Sequence, residues 1–283
     1  MKISLLLSIV LFAIAQSYAQ NRSNIEFIGY MIDRGNFDEA LFLIEKEFNT
    51  TANYHNDSLN YYNGWANYSL QKLEESSLRL LKVRQGSVFY SKSHFFAGYN
   101  QSHLGNYKQA KSIFSQIQTS SPTEKALQEF QLSGIFLLEG DIQQAKKYLH
   151  NTNSSIPVIN RQVITLEHLA HEIEQHRPKK PWLAGAMSAV IPGSGKFYAG
   201  KKGEGVANFL GTVSFGAIAW ENYRKLGLKN AKTIIFGGIF AATYVSNIYG
   251  SAMSVKIQET EYQNAIHNQI LFQLHIPLRN YFE

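Results

Sequence analysis

The chain has 283 residues, of which 45% are hydrophobic, 17% charged and none cysteine, with a formal net charge of +6. That hydrophobic share excludes a disordered chain, and the missing thiols exclude a disulfide scaffold, a thiolate metal site, a cysteine nucleophile and a lipidated cysteine anchor. A mean hydropathy of −0.21 suggests a soluble protein, but an average does not exclude two short membrane spans, so the placement of the apolar residues decides.

Residues 1–19 read as an export signal. Lys2 supplies the positive start, Ile3 to Ala15 is apolar, and Ser17-Tyr18-Ala19 offers small residues at both positions a signal peptidase reads. Cleavage after Ala19 leaves Gln20 leading the mature chain. The apolar run is too short for the ~20 residues of a membrane span.

Residues 20–160 carry a repeat. Its four copies are Gly35-Asn36-Phe37-Asp38-Glu39-Ala40 with Ile44, Gln71-Lys72-Leu73-Glu74-Glu75-Ser76 with Leu80, Gly105-Asn106-Tyr107-Lys108-Gln109-Ala110 with Phe114, and Gly140-Asp141-Ile142-Gln143-Gln144-Ala145 with Leu149. The small residues at 40, 76, 110 and 145 are spaced by 36, 34 and 35, and Pro122 and Pro157 each follow 12 residues after one of them. This pattern resembles the tetratricopeptide repeat, a helix-turn-helix unit with a period of about 34. On that reading glycine ends the first helix in a left-handed conformation, and Asn or Asp caps the second. Alanine lets the pair approach closely, and proline closes the unit. Gly98 fills the small position of the first helix in the third repeat; repeats one, two and four read as degenerate there. In repeat two, Asn60, Asn63 and Asn67 take places the family fills with apolar residues, and Tyr61, Trp65 and Tyr68 lie one position over.

Such units stack into a solenoid with a concave face. The resemblance implies groove positions at Tyr61, Trp65, Tyr68, Phe95, Tyr99 and Phe130. Two readings stay open: a groove for an extended peptide or partner helix, or rings that fill the space between repeats. Residues 161–177 predict an amphipathic helix that caps the last repeat, with Val163, Leu166, Leu169, Ala170 and Ile173 on one face. Its His171-Glu172 and His176 miss the i, i+4 histidine spacing of a zinc protease helix.

Composition shifts at 178–257. Two nearly uncharged stretches, about 204–221 and 233–253, predict apolar helices, and a glycine-rich turn precedes them. Gly193-Ser194-Gly195-Lys196 is not a phosphate-binding loop: Val190 stands where that motif needs its first glycine, and Phe197 where it needs Ser or Thr. A tight turn between apolar helices fits instead, with Tyr198 at the membrane interface. Pro192, Gly193, Gly195, Tyr198 and Gly200, followed by Asn247-Ile248-Tyr249-Gly250-Ser251, resemble a family of small bacterial membrane modules with the pattern P-G-x-G-x-x-Y-x-G and a closing N-I-Y-G-S. Similar modules occur joined to tetratricopeptide repeats. The resemblance implies membrane embedding and brings no activity.

Charge orients the module. A two-span hairpin places Arg224, Lys225, Lys229 and Lys232 in the cytoplasm and returns the C-terminus to the outer side. A three-span arrangement and a buried soluble hairpin are the alternatives. In the tail, 258–283, the alternation across Ile270-Leu271-Phe272-Gln273-Leu274-His275-Ile276 predicts a short strand or an extended partner-binding tail.

The sequence therefore predicts an all-α chain: a helical solenoid followed by a glycine-rich apolar hairpin. The function expected is a non-enzymatic scaffold of a bacterial envelope, its repeats in the periplasm binding a protein or peptide and its hairpin contacting membrane lipid. An accessory role in membrane-protein insertion through Gly211, Gly216, Gly237 and Gly238 is the alternative. No nucleophile-base pair, carboxylate cluster or metal spacing emerges, so no enzyme activity, cofactor, nucleotide or nucleic acid is expected.

Overall fold

The computed structural model describes residues 24–50, 56–152 and 156–283, so the expected export signal lies outside the described residues. Among the described residues every regular element is a helix, and no strand occurs. In chain order these are α1 (24–33), α2 (Phe37–Thr50), α3 (Asp57–Ser69), α4 (Leu73–Leu80), α5 (Tyr90–His103), α6 (Tyr107–Gln116), α7 (Pro122–Glu139), α8 (Ile142–Asn151), α9 (Asn160–Gln175), α10 (Pro181–Val190), α11 (Ser194–Tyr198), α12 (Lys202–Leu226) and α13 (Ala231–Phe282).

The first eight helices fold back in pairs through one recurring turn. Gly35, Gly105 and Gly140 hold φ near +80°, and Gln71 holds φ 61° at the matching place. At each, the amide donates to the carbonyl three residues back, and the next amide to the carbonyl five residues back. The four longer bonds are Asn36 to Met31 (3.0 Å), Lys72 to Asn67 (2.8 Å), Asn106 to Gln101 (2.9 Å) and Asp141 to Phe136 (2.9 Å). This double bond closes the last carbonyls of the first helix, which is why a left-handed residue is needed there. The expected side-chain cap is realised by Asp141, whose carboxylate accepts from Gln144 at 3.1 Å. Asn106 turns instead to Gln101 at 2.9 Å and does not cap. Pro122 opens α7 at its first turn, where its absent amide costs nothing.

The second helices pack as the spacing requires. Ala40, Ser76, Ala110 and Ala145 are fully buried, as are Ile44, Leu80 and Phe114 four residues on. Repeat two is not degenerate in its first helix. Gly64 stands as far before Ser76 as Gly98 does before Ala110, and both are close-contact sites. A Cβ on Gly64 would lie 2.5 Å from Leu80, and one on Gly98 2.6 Å from the Phe114 ring. Asn60, Asn63 and Asn67 are buried alongside. They hold position by bonding to their own helix, Asn60 to the Asn56 carbonyl at 3.1 Å and Asn67 to Asn63 at 2.9 Å.

The chain divides into two compact units. One joins the described residues up to Glu174 with Gln269–Glu283; the other is Gln175–Asn268. Residues 258–282 are helical and belong to α13, which runs from one unit into the other. The strand expectation fails because the buried set is Ile270, Leu274 and Leu278, at four-residue steps, while Phe272 is 61% exposed. Alternation put Ile270, Phe272, Leu274 and Ile276 on one face; packing selects the helical stripe instead.

In the second unit, α10, α11, α12 and the first part of α13 carry few buried side chains. Among the described residues one helix, α13, is long and apolar enough to cross a membrane, and only 11% of its most apolar window is buried.

Candidate functional site: an aromatic groove that holds a helix

The spacing 61, 65, 68 sets three rings along one face of α3, and α5 supplies a second row. Tyr61 lies flat on Phe89, 4.2 Å between centroids and 7° between planes. Trp65 meets Phe96 edge-on at 4.9 Å and carries the Lys92 ammonium 3.8 Å over its face. Phe95 and Phe130 are fully buried, Phe95 against Phe114 at 5.9 Å. Of the six predicted groove residues, these two serve at least partly as packing between helices. Tyr68 and Tyr99 do something else: they face the end of α13.

Residues 269–283 fill the groove. The imidazole of His275 stacks on Tyr99 at 4.9 Å and 18°, stands edge-on to Phe96 at 6.4 Å, and is hydrogen-bonded through Nε2 to the Tyr68 hydroxyl. Phe282 packs on Phe95 at 5.5 Å and Phe96 at 6.3 Å. The Gln131 amide donates to the Leu274 carbonyl at 2.7 Å. Leu274 is seated on Gly134 of α7, where a Cβ would fall inside the leucine side chain. Tyr281 donates to Glu124 at 3.5 Å. Beyond the helix end a cavity of about 760 Å³ remains open, lined by Tyr61, Phe89, Lys92, Glu124 and Phe282 among others.

Burial sets the charge states here. It pushes Tyr99 up to about 12, and also raises Tyr61 and Tyr68. It lowers Lys92, and it lowers His275, with Arg279 adding to the effect. A neutral imidazole assigns the Tyr68 hydroxyl as donor and Nε2 as acceptor. The groove is thus a mainly aromatic cradle with two polar fixing points, Tyr68 and Gln131. Sequence reasoning missed Phe96, Gln131, Gly134 and the occupant itself. Of these, only Gly134, a glycine inside an otherwise strong helix pattern, left a readable signal.

The motif residues of the second unit form a separate cluster. Gly193 and Gly200 are left-handed turns at φ 84° and 83°. A Cβ on Gly193 would strike the Gly205 carbonyl, and one on Gly195 the Ala184 carbonyl, so both glycines permit backbone contact. The Gly195 amide donates to Ser188 at 2.9 Å, and the Ser188 hydroxyl to Ser251 at 2.7 Å. This buried relay joins the P-G-x-G half of the motif to the N-I-Y-G-S half. Pro192 precedes the Gly193 turn. Tyr198 packs with Ala184, Ala199 and Val255, and its hydroxyl accepts from the Lys180 amide at 3.1 Å. Asn247 is buried and faces a cavity of about 250 Å³ with Lys196, Thr212 and Thr243. Tyr249 points outward, 67% exposed, and Gly250 has open space above it. No protein family, curated protein or solved structure matches the chain.

Proposed function

We propose that this protein is a membrane-anchored adaptor of a bacterial envelope. Four tetratricopeptide-like helix pairs present a helix-binding groove on the outer side of a membrane, and α12 with the first part of α13 forms a two-span anchor. The observation that carries this reading is the return of residues 269–283 to the repeats. The repeats and that segment form one unit, so both stand on one side of any membrane. The chain between Glu174 and Gln269 then crosses an even number of times. A single crossing by α13 would strand the final segment, so α12 crosses with it, and a three-span arrangement is disfavoured.

Surface chemistry supports the pairing. Val206, Leu210 and Val213 of α12 and Ile234, Ile235 and Val245 of α13 are exposed, Leu210 58% and Ile234 62%. A soluble hairpin would turn these residues inward, whereas in hydrocarbon they meet lipid at no cost. Arg224, Lys225, Lys229 and Lys232 then lie at the cytoplasmic turn, in accord with the bias of basic loops. Alkaline carbonate extraction of membranes tests the anchor: the protein stays in the pellet, and release into the supernatant refutes integral insertion.

A second reading, in which the hairpin contacts client helices, is favoured by one observation. Gly211, Gly237 and Gly238 face open space, whereas Gly216 is already covered by Phe240. Uncovered small residues permit close approach by another helix.

A further inference from the structure

We propose that residues 269–283 are an internal ligand of the aromatic groove, displaced when a partner presents an amphipathic helix of the same pattern. This rests on the adaptor reading of the groove and adds what it binds and how it is held closed.

The seated helix supplies the recognition pattern. Ile270, Leu274 and Leu278 are fully buried, giving aliphatic side chains at positions a, a+4 and a+8. His275 and Phe282 give rings at a+5 and a+12, against Tyr99 and Phe95 respectively. Gly134 sets the approach distance. A glycine in mid-helix weakens the helix relative to alanine, and α7 retains one where any Cβ would occupy the space of Leu274. Gln131 bonds to the backbone carbonyl of 274, a contact any helix can offer. The groove therefore reads shape and aliphatic spacing more than a unique sequence.

The internal helix leaves part of the site unused. The open cavity past Phe282 is lined by the half-buried Phe89 and Lys92 and by an edge of the buried Tyr61. Tethering gives residues 269–283 an effective concentration of millimolar order, so a competing helix needs contacts the tether does not make. A partner helix gains them by placing side chains in this cavity.

The test uses the full-length protein in detergent and a fluorescent peptide of residues 266–283 as probe, read by anisotropy. Wild type binds the peptide weakly, because its own helix competes. Leu274→Glu, which releases that helix, binds it at least about tenfold more tightly. Adding Gly134→Leu to Leu274→Glu abolishes binding. Equal binding by wild type and Leu274→Glu overturns the proposal, as does full binding by the double variant. Should Leu274→Glu lose its circular dichroism signature, Leu278→Ala decides: it weakens the seated helix by removing a fully buried side chain, without burying a charge and without altering the groove. It binds the peptide more tightly than wild type; binding no tighter than wild type overturns the proposal. Loss of membrane anchoring would leave this exchange unchanged, so the two readings fall separately.

Discussion

Gln71 adopts a backbone that its three counterparts reach with glycine. A side chain at positive φ costs about 1–2 kcal/mol, and the same two amide-to-carbonyl bonds form there as at Gly35, Gly105 and Gly140. Gln71→Gly therefore stabilises the first unit by about 0.5–1 kcal/mol, after the added freedom of the unfolded glycine is subtracted. A chemical denaturation midpoint that falls on this substitution would contradict the assignment of the turn. Gly98 behaves oppositely. Alanine there gains about 1 kcal/mol of helix propensity but presses a methyl within 2.6 Å of the Phe114 ring, an overpacking cost of about 1–3 kcal/mol. The same measurement should show a net loss for Gly98→Ala. The buried positions 40, 76, 110 and 145 were legible because small residues recur there at a regular spacing. Gly134 was not, because its partner Leu274 lies far along the chain and no local pattern announces it.

At the level of elements, the helical class was readable and the form of the last segment was not. Both the strand and the helix reading of 270–276 count apolar residues correctly. They differ in which face is buried, and that depends on Tyr68, Tyr99 and Gly134, which local sequence does not contain. The seated helix carries a pH dependence. His275 is held below the ordinary histidine value, first by burial and then by Arg279 and His103, with Glu283 opposing. Tyr68 and Tyr99 face it from α3 and α5 as neutral rings. A depressed value means that the released helix binds the proton more readily than the docked one. Its contribution to docking is complete above the ordinary value of about 6.5 and is lost as pH falls below it. Amide hydrogen exchange across residues 270–282, after correction for intrinsic rates, should show protection falling between pH 7 and pH 5 in wild type. A His275→Asn variant, which cannot take up the proton, should lack that fall. Protection that is flat in wild type would contradict the role given to His275.

For the whole molecule, the net charge of +6 and the near-neutral hydropathy are averages over two unlike units. The first hides its apolar residues between helices and inside a filled groove. The second turns many of them outward. The composition changes near 178, and the chain divides after Glu174 and again after Asn268. The return of the final segment to the repeats was invisible, since it is a property of the folded chain. In the proposed adaptor it is also what requires an even number of membrane crossings. Single-cysteine labelling tests this most directly, on a natural background free of thiols. Lys108→Cys, Lys229→Cys and Arg279→Cys would each be exposed to a membrane-impermeant maleimide in intact spheroplasts. The account predicts that 108 and 279 are labelled from outside and that 229 reacts only after permeabilisation. Labelling of 229 from outside, or of 279 only after permeabilisation, would contradict the two-span adaptor.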